Sequence, residues 1–252
     1  MIVETEDLTV VFRRRFRRTL VALDSVNLSI REGDFFALLG PNGAGKSTAL
    51  YCMLGLLRPS SGEARVFGRR LRPGCDEFRD IAYLPEEPHY HDYLTVEEAV
   101  TYYARLAGVD AAPPRVRDVL ERLDIASARS TPVAACSKGM KQKVGIAHCL
   151  LHEPRLLFLD EPMRGLDPIA TKDFRDVLLD LNRRGVSVVM NSHLLSEVEL
   201  VANRAAILAD GRVVAVDDVS ALVDRGRDAS GGRRTLEDAF MAIVKKDASA
   251  HA

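Results

Sequence analysis

The stretch Gly40-Pro41-Asn42-Gly43-Ala44-Gly45-Lys46-Ser47-Thr48 constrains this chain more than any other, because it fits G-x-x-x-x-G-K-[ST] and sits between an apolar run and a helical pattern. Phe35-Phe36-Ala37-Leu38-Leu39 before it reads as a buried strand, and Ala49-Leu50-Tyr51-Cys52-Met53-Leu54 after it as the helix that the loop opens. Gly40, Gly43 and Gly45 allow positive φ. The N–H groups of the loop, from Asn42 through Gly43, Ala44 and Gly45 to Lys46, Ser47 and Thr48, can then turn inward towards a phosphate, and the helix N-terminus adds a partial positive charge. Lys46 would reach the β- and γ-phosphates of a nucleotide, and the Ser47 hydroxyl would ligate Mg²⁺. A plain glycine-rich turn needs no lysine followed by two hydroxyls at this spacing.

At 252 residues, with 47% hydrophobic and 28% charged side chains, the chain can bury a sizeable core as one large or two small domains. Lys plus Arg number 35 against 36 Asp plus Glu, so the net charge of −1 supplies no global basic field, and no nucleic-acid partner is expected. The one dense basic cluster is Arg13-Arg14-Arg15-Phe16-Arg17-Arg18, a run of the kind found in solvated loops. Cys52, Cys75, Cys136 and Cys149 show no C-x-x-C pairing, so a disulfide scaffold is not expected and a reducing cytosol is the simplest compartment. No window reaches the roughly 18 apolar residues of a membrane span. Residues 1–7 lack a basic region followed by an apolar one, so a membrane role is expected only through a partner.

Along the chain, Ile2-Val3-Glu4, Leu8-Thr9-Val10-Val11-Phe12 and Val26-Asn27-Leu28-Ser29-Ile30 alternate over part of their length and predict an antiparallel sheet, with the arginine cluster at an exposed hairpin tip. A turn and strand follow at 60–68. From Thr95-Val96-Glu97-Glu98, a capping box, the pattern is helical: Ala99, Val100, Tyr103 and Leu106 face inward, and Gly108 is the stop. Pro113-Pro114 opens a second helix with Val116, Val119, Leu120 and Leu123 inward, and Ser137 a third with Met140, Val144, Ala147 and Leu151 inward. Leu156-Leu157-Phe158-Leu159, Val186-Ser187-Val188-Val189-Met190 and Ala205-Ala206-Ile207-Leu208 read as strands covered on both faces. Phe174, Val177, Leu178 and Leu181 mark the crossover helix between the first two, and Gly211-Arg212-Val213-Val214-Ala215 closes a hairpin. Residues 225–234 are Gly- and Arg-rich and expected to be mobile, before a last short helix over 236–244.

Asp160-Glu161 ends the strand 156–159, at the carboxyl edge where ligands bind in open α/β sheets. Asp160 is expected to hold Mg²⁺ directly or through water, and Glu161 to orient and polarise an attacking water. With these residues in hand the chain resembles, over about 1–215, the nucleotide-binding subunit of an ATP-binding cassette (ABC) transporter. The discriminating stretch is Cys136-Ser137-Lys138-Gly139-Met140-Lys141-Gln142, upstream of Asp160 and opening a helix, which resembles the signature motif of that family in the short form S-x-G-x-x-Q. Ser137 as N-cap and the N–H of Gly139 make a second anion site. The resemblance implies that this site grips the γ-phosphate held by the opposite subunit. It further implies that Gly165-Leu166-Asp167-Pro168 is the D-loop crossing the dimer interface, and that His193 contacts the γ-phosphate. Phe12 is the choice for the ring that stacks on adenine, with Phe16 as its rival.

Three residues depart from the family pattern. Glu86 stands where a glutamine usually approaches Mg²⁺ and the attacking water, Lys138 replaces the first signature glycine, and Arg164 replaces a common serine. A carboxylate about 4 Å from a phosphate charge is repelled by about 4 kcal/mol at an effective dielectric near 20. Glu86 must therefore face the metal or swing away, and the two added cations could partly offset it. The implied fold is α/β: a P-loop NTPase core with a mainly parallel sheet, an N-terminal antiparallel β subdomain and an inserted helical subdomain of about 87–150. Residues 1–215 would be the ATPase domain, and 216–252 a C-terminal extension with a short helix. The implied function is ATP hydrolysis with Mg²⁺ at the cytoplasmic face of the cell membrane, driving a separate integral-membrane permease in export or multidrug-type systems. The cassette would act as a homodimer or paired with a second cassette. A soluble ABC-type ATPase and an ATP-dependent clamp are the alternatives. His89-Tyr90-His91-Asp92-Tyr93-Leu94 suits either the permease interface or the core of the helical insertion.

Overall fold

The computed structural model describes residues 1–13, 19–225 and 235–250. In chain order these form β1 (Val3–Phe12), β2 (Leu20–Ile30), β3 (Phe35–Leu39), α1 (Lys46–Met53), β4 (Ser61–Val66) and β5 (Ile81–Leu84). Then come α2 (Val96–Leu106), α3 (Pro113–Arg122), α4 (Lys138–Leu150), β6 (Leu156–Asp160), α5 (Pro168–Arg183) and β7 (Ser187–Asn191). The chain ends with α6 (Leu195–Val201), β8 (Arg204–Ala209), β9 (Arg212–Asp218), α7 (Val219–Arg225) and α8 (Leu236–Ala250). They divide into two compact units, Met1–Glu77 with Ser187–Ala252, and Phe78–Val186.

The first unit has an antiparallel sheet in the order β2-β1-β4, with Val3 opposite both Ile30 and Val66. The two short strands expected before Phe12 are one strand here. Asp7, at φ 45°, makes an irregularity between Thr5 and Leu8 that breaks the alternation in the sequence without breaking the pairing. β2 likewise starts at Leu20, ahead of the expected Val26, because its first residues are exposed and carry no inward periodicity. β3 is buried along its whole length and pairs in parallel with β7 and β8, while β9 returns antiparallel to β8. The register sets Leu38 beside Asn191, so the carboxyl end of β7 adjoins the loop that leaves β3. α8 continues to Ala250, beyond the expected 244, since Lys245, Lys246 and Asp247 include no helix breaker.

In the second unit β5 and β6 pair in parallel, Ile81 with Leu156 through Leu84 with Leu159. Thr95 and Glu98 form the reciprocal capping box that starts α2. α2 buries Val96, Ala99, Val100 and Ala104, whereas Tyr103 is half-buried and Leu106 is 71% exposed. The small Ala104 takes the inward position, and the expected stripe turns away from the core in its last turn. Val116, Val119, Leu120 and Leu123 are buried as expected. Met140 and Val177 are only half-buried: Met140 lies in the first turn of α4, and Val177 lies at the rim of the face that buries Phe174, Leu178 and Leu181. The aromatic stretch before α2 splits. The Tyr90 ring meets Tyr103 edge-on at 5.4 Å, its hydroxyl donates to the Lys141 carbonyl at 3.4 Å, and burial pushes the phenol well above its usual pKa. Tyr93 is 76% exposed. Burial also pushes the His148 imidazole down to about 4 and the Cys149 thiol up to about 12.

Candidate functional site

In the first unit the loop 40–48 leaves the carboxyl end of β3 and closes on α1. Gly45 is the N-cap of α1 at φ 101°, and a Cβ there would sit 2.5 Å from the Ala22 carbonyl oxygen and 2.7 Å from Leu23 Cδ2. Only glycine fits, and a glycine cap brings no side chain to occupy the amides of the first turn. Lys46 is buried and its Nζ donates to the carbonyls of Gly40 at 2.8 Å and Pro41 at 3.2 Å, so the cation is folded back over its own loop. Asn42 and Gly43 are exposed, Ala44 is buried, and Ser47 and Thr48 are half-buried. Phe12 ends β1 opposite Leu20 and is 39% exposed. Its rival Phe16, most of the arginine cluster and residues 226–234 lie outside the described residues.

His193 follows β7 and is exposed, and in the same segment the Ser192 hydroxyl accepts from the Leu194 N–H at 3.0 Å. Sequence reasoning missed Asn191. It is fully buried at the end of β7, and its Nδ2 donates to Ser47 Oγ at 3.2 Å, which fixes where that hydroxyl points. A polar residue closing the apolar run Val188–Met190, two positions before His193, was the available signal.

In the second unit Asp160 is the last residue of β6, 4% exposed, and Glu161 follows at 8% exposed with φ 45°. A left-handed backbone on a residue with a Cβ costs on the order of 1–2 kcal/mol, so the surrounding turn must hold it. The Arg164 N–H does so, donating to the Glu161 carbonyl at 3.1 Å. Ser137 caps α4 by accepting from the Met140 N–H at 3.2 Å, and Gly139 lies in the first turn of that helix. Asp167 caps α5 through the N–H groups of Ile169 and Ala170 at 3.0 and 2.9 Å, with Pro168 at the first helical position. Glu86 is held at both ends: its carbonyl accepts from Gln142 Nε2 at 3.0 Å and its carboxylate pairs with Arg164.

A buried parallel strand running into a glycine-capped, lysine-bearing loop and a helix defines a phosphate-loop nucleotide-binding α/β protein. A family model described as ABC transporter matches residues 23–164. An uncharacterized ABC transporter ATP-binding protein of Nostoc sp. is 40% identical, the match covering 84% of this chain and 65% of the relative. A bacitracin transport ATP-binding protein of Bacillus licheniformis is 34% identical over 84% of this chain and 68% of its own length. This chain thus spans about two thirds of those curated relatives. Among solved structures, an ATP-binding subunit of an ABC transporter superposes with TM-score 0.79 at 30% identity, over 96% of this chain and 99% of the other. A dimeric ATP-binding cassette in a post-hydrolysis state with ADP and Pi gives 0.75 at 25% identity, over 86% and 98%. The chain belongs to the ABC transporter family of ATP-binding proteins.

Proposed function

We propose that this chain is the ATP-hydrolysing subunit of an ABC transporter. Two cassettes close around two ATP at the cytoplasmic face of the membrane and drive a separately encoded permease. The observation that carries the reading is the loop 40–48, with its glycine cap, its folded-back Lys46 and its Ser47 hydroxyl oriented by Asn191. Amides of the first turn of α1 bind phosphate oxygens, Lys46 leaves the Gly40 carbonyl for the β- and γ-phosphates, and Phe12 offers its ring to the base. Ser47 and Asp160 are hard oxygen donors of the kind Mg²⁺ takes, and they would hold it. When bound, that ion would neutralise charge on the phosphate oxygens. Glu161 orients the attacking water, and His193 and the Ser137–Gly139 turn contact the γ-phosphate, the latter from the partner cassette.

The permease-facing surface is read from α2. Tyr93, Tyr102 and Leu106 are exposed, and Leu94, Tyr102 and Leu106, with the polar Thr101 and the charged Glu97, Glu98 and Arg105, line a groove of about 560 Å³ that suits a short amphipathic helix. Among the described residues no helix is long and apolar enough to cross a membrane.

Phosphate release by the purified chain separates a motor from an ATP clamp. Glu161→Gln should keep ATP bound and trap a dimer by light scattering. A variant hydrolysing at the parent rate would move the water-orienting role elsewhere. Tyr93→Ala with Leu106→Ala should lose co-purification with the permease while basal ATPase persists. Retained permease would move the docking surface off α2.

A further inference from the structure

Glu86 and Arg164 are two of the three departures from the pattern that the resemblance implies, they carry opposite charge, and in the fold they meet. The Glu86 carboxylate, about one third exposed, pairs with Arg164 Nη1, whose own side chain is about half exposed. A pair this wet contributes little to stability, so its worth lies in geometry. The backbone of Arg164 closes the turn that holds Glu161 in its left-handed conformation, through the 3.1 Å bond to the Glu161 carbonyl. The main chain of Glu86 is fixed independently. Gln142, fully buried on α4, donates to its carbonyl at 3.0 Å. Beside it the packing is close enough that a Cβ on Gly145 would lie 2.3 Å from Leu84 Cδ1 and 2.8 Å from the Tyr90 hydroxyl. Glu86 is therefore a carboxylate on a rigid base, reaching a cation on a strained turn.

We propose that Arg164 is a positioning residue for Glu161 and that Glu86 is its anionic anchor, in place of the metal-facing role the family pattern would give position 86. This rests on the reading of Glu161 as the residue that orients the water. Each departure accounts for the other: serine at 164 would leave the Glu86 carboxylate without this cation, and glutamine at 86 would leave Arg164 held by a neutral group. The link runs from the helix that begins at the signature residue Ser137, through Gln142 and Glu86, to the turn carrying Glu161. The second added cation is close by, since a Cβ on Gly165 would lie 3.1 Å from Lys138 Nζ. Lys138 stays in place in every variant below.

The experiment is a double-mutant cycle on the full chain with Arg164→Ser, Glu86→Gln and the two together, plus Arg164→Lys. Arg164→Ser should lower kcat about tenfold while affinity for a fluorescent ATP analogue changes by less than about twofold, since a misplaced turn costs the chemical step and not binding. Arg164→Lys should recover part of the loss. The double variant should be no worse than the single ones, because both remove the same link. Effects that multiply overturn the proposal. So does a Glu86→Gln variant whose half-saturating Mg²⁺ shifts about tenfold whether or not Arg164 is present, because that is the behaviour of a metal ligand. A second readout needs no catalysis: amide exchange of the segment 161–166 in the nucleotide-free chain should speed up about fivefold in either single variant, and no further in the double. Unchanged exchange overturns the anchor. Parent-like hydrolysis by Glu161→Gln, with the exchange cycle intact, would instead overturn the role of Glu161 and leave the pair standing.

Discussion

On the proposed function, the phosphate loop and the turn at Glu161 solve the same problem, holding charge in a fixed place, with different materials. The loop is one contiguous stretch in which, on the proposed reading, backbone amides would do most of the holding, and Gly45 is required by its φ of 101° and by the closeness of Ala22 and Leu23. The turn draws Glu86, Gln142 and Arg164 from three separated stretches and relies on side chains for its links. A site made of backbone tolerates changes in its side chains but no change in chain path. A site made of side chains tolerates paired changes and is damaged by single ones.

The largest effect should come from attacking the loop's path. Gly45→Val brings a branched Cβ to φ 101° against the Ala22 carbonyl, a cost of about 3–4 kcal/mol with ATP binding lost, measured by melting and calorimetry. A stable Gly45→Val chain that still binds ATP would break the contrast at its root. In the second unit the sensitive element is a half-buried side chain, His148. Burial outweighs the favourable Val144 carbonyl at His148 and puts the imidazole near 4, below its ordinary 6.5, so the unfolded chain binds more protons between those values. Stability is fully present above about pH 6.5 and falls by about 3 kcal/mol as pH drops through 4, at 1.36 kcal/mol per pH unit. His148→Leu should flatten urea midpoints across that window, and an unflattened profile would place the acid sensitivity in another group.

The loop's own side chain should matter less than its path. Lys46→Ala is expected to weaken ATP binding by about 2 kcal/mol, some 30-fold, as for one hydrogen bond to a charged group, with folding preserved. Unchanged affinity by calorimetry would remove Lys46 from the phosphates. The smallest effect sharpens the comparison from the other side. The capping box at Thr95 is contiguous, though it lies in the unit whose turn at Glu161 is not, and Thr95→Ala should cost about 1 kcal/mol in urea unfolding with ATP affinity unchanged.

Contiguity also separates what the chain spells out from what folding decides. Residues 40–48, the capping box of α2, the apolar strands β3, β6 and β8 and the Ser137 cap were legible because each depends on neighbours within a few positions, and their φ requirements and hydrogen bonds are local. The Asp160–Glu161 pair was legible as the end of an apolar run, but not the left-handed backbone of Glu161. Sequence spacing misjudged Leu106 and left Tyr90 and Tyr93 open between core and interface, since which side of a helix or loop meets a core depends on where the neighbouring helices lie. Asn191 gained a partner in Ser47 only through the parallel register of β3 and β7. Glu86 is the clearest case: by itself it was an unexplained charge with two possible orientations, and the fold brought to it an arginine that stands far away in the chain. Local propensity and periodicity write the backbone-made cradle directly into the sequence, whereas the pairing of distant side chains exists only once packing has fixed where each chain segment runs.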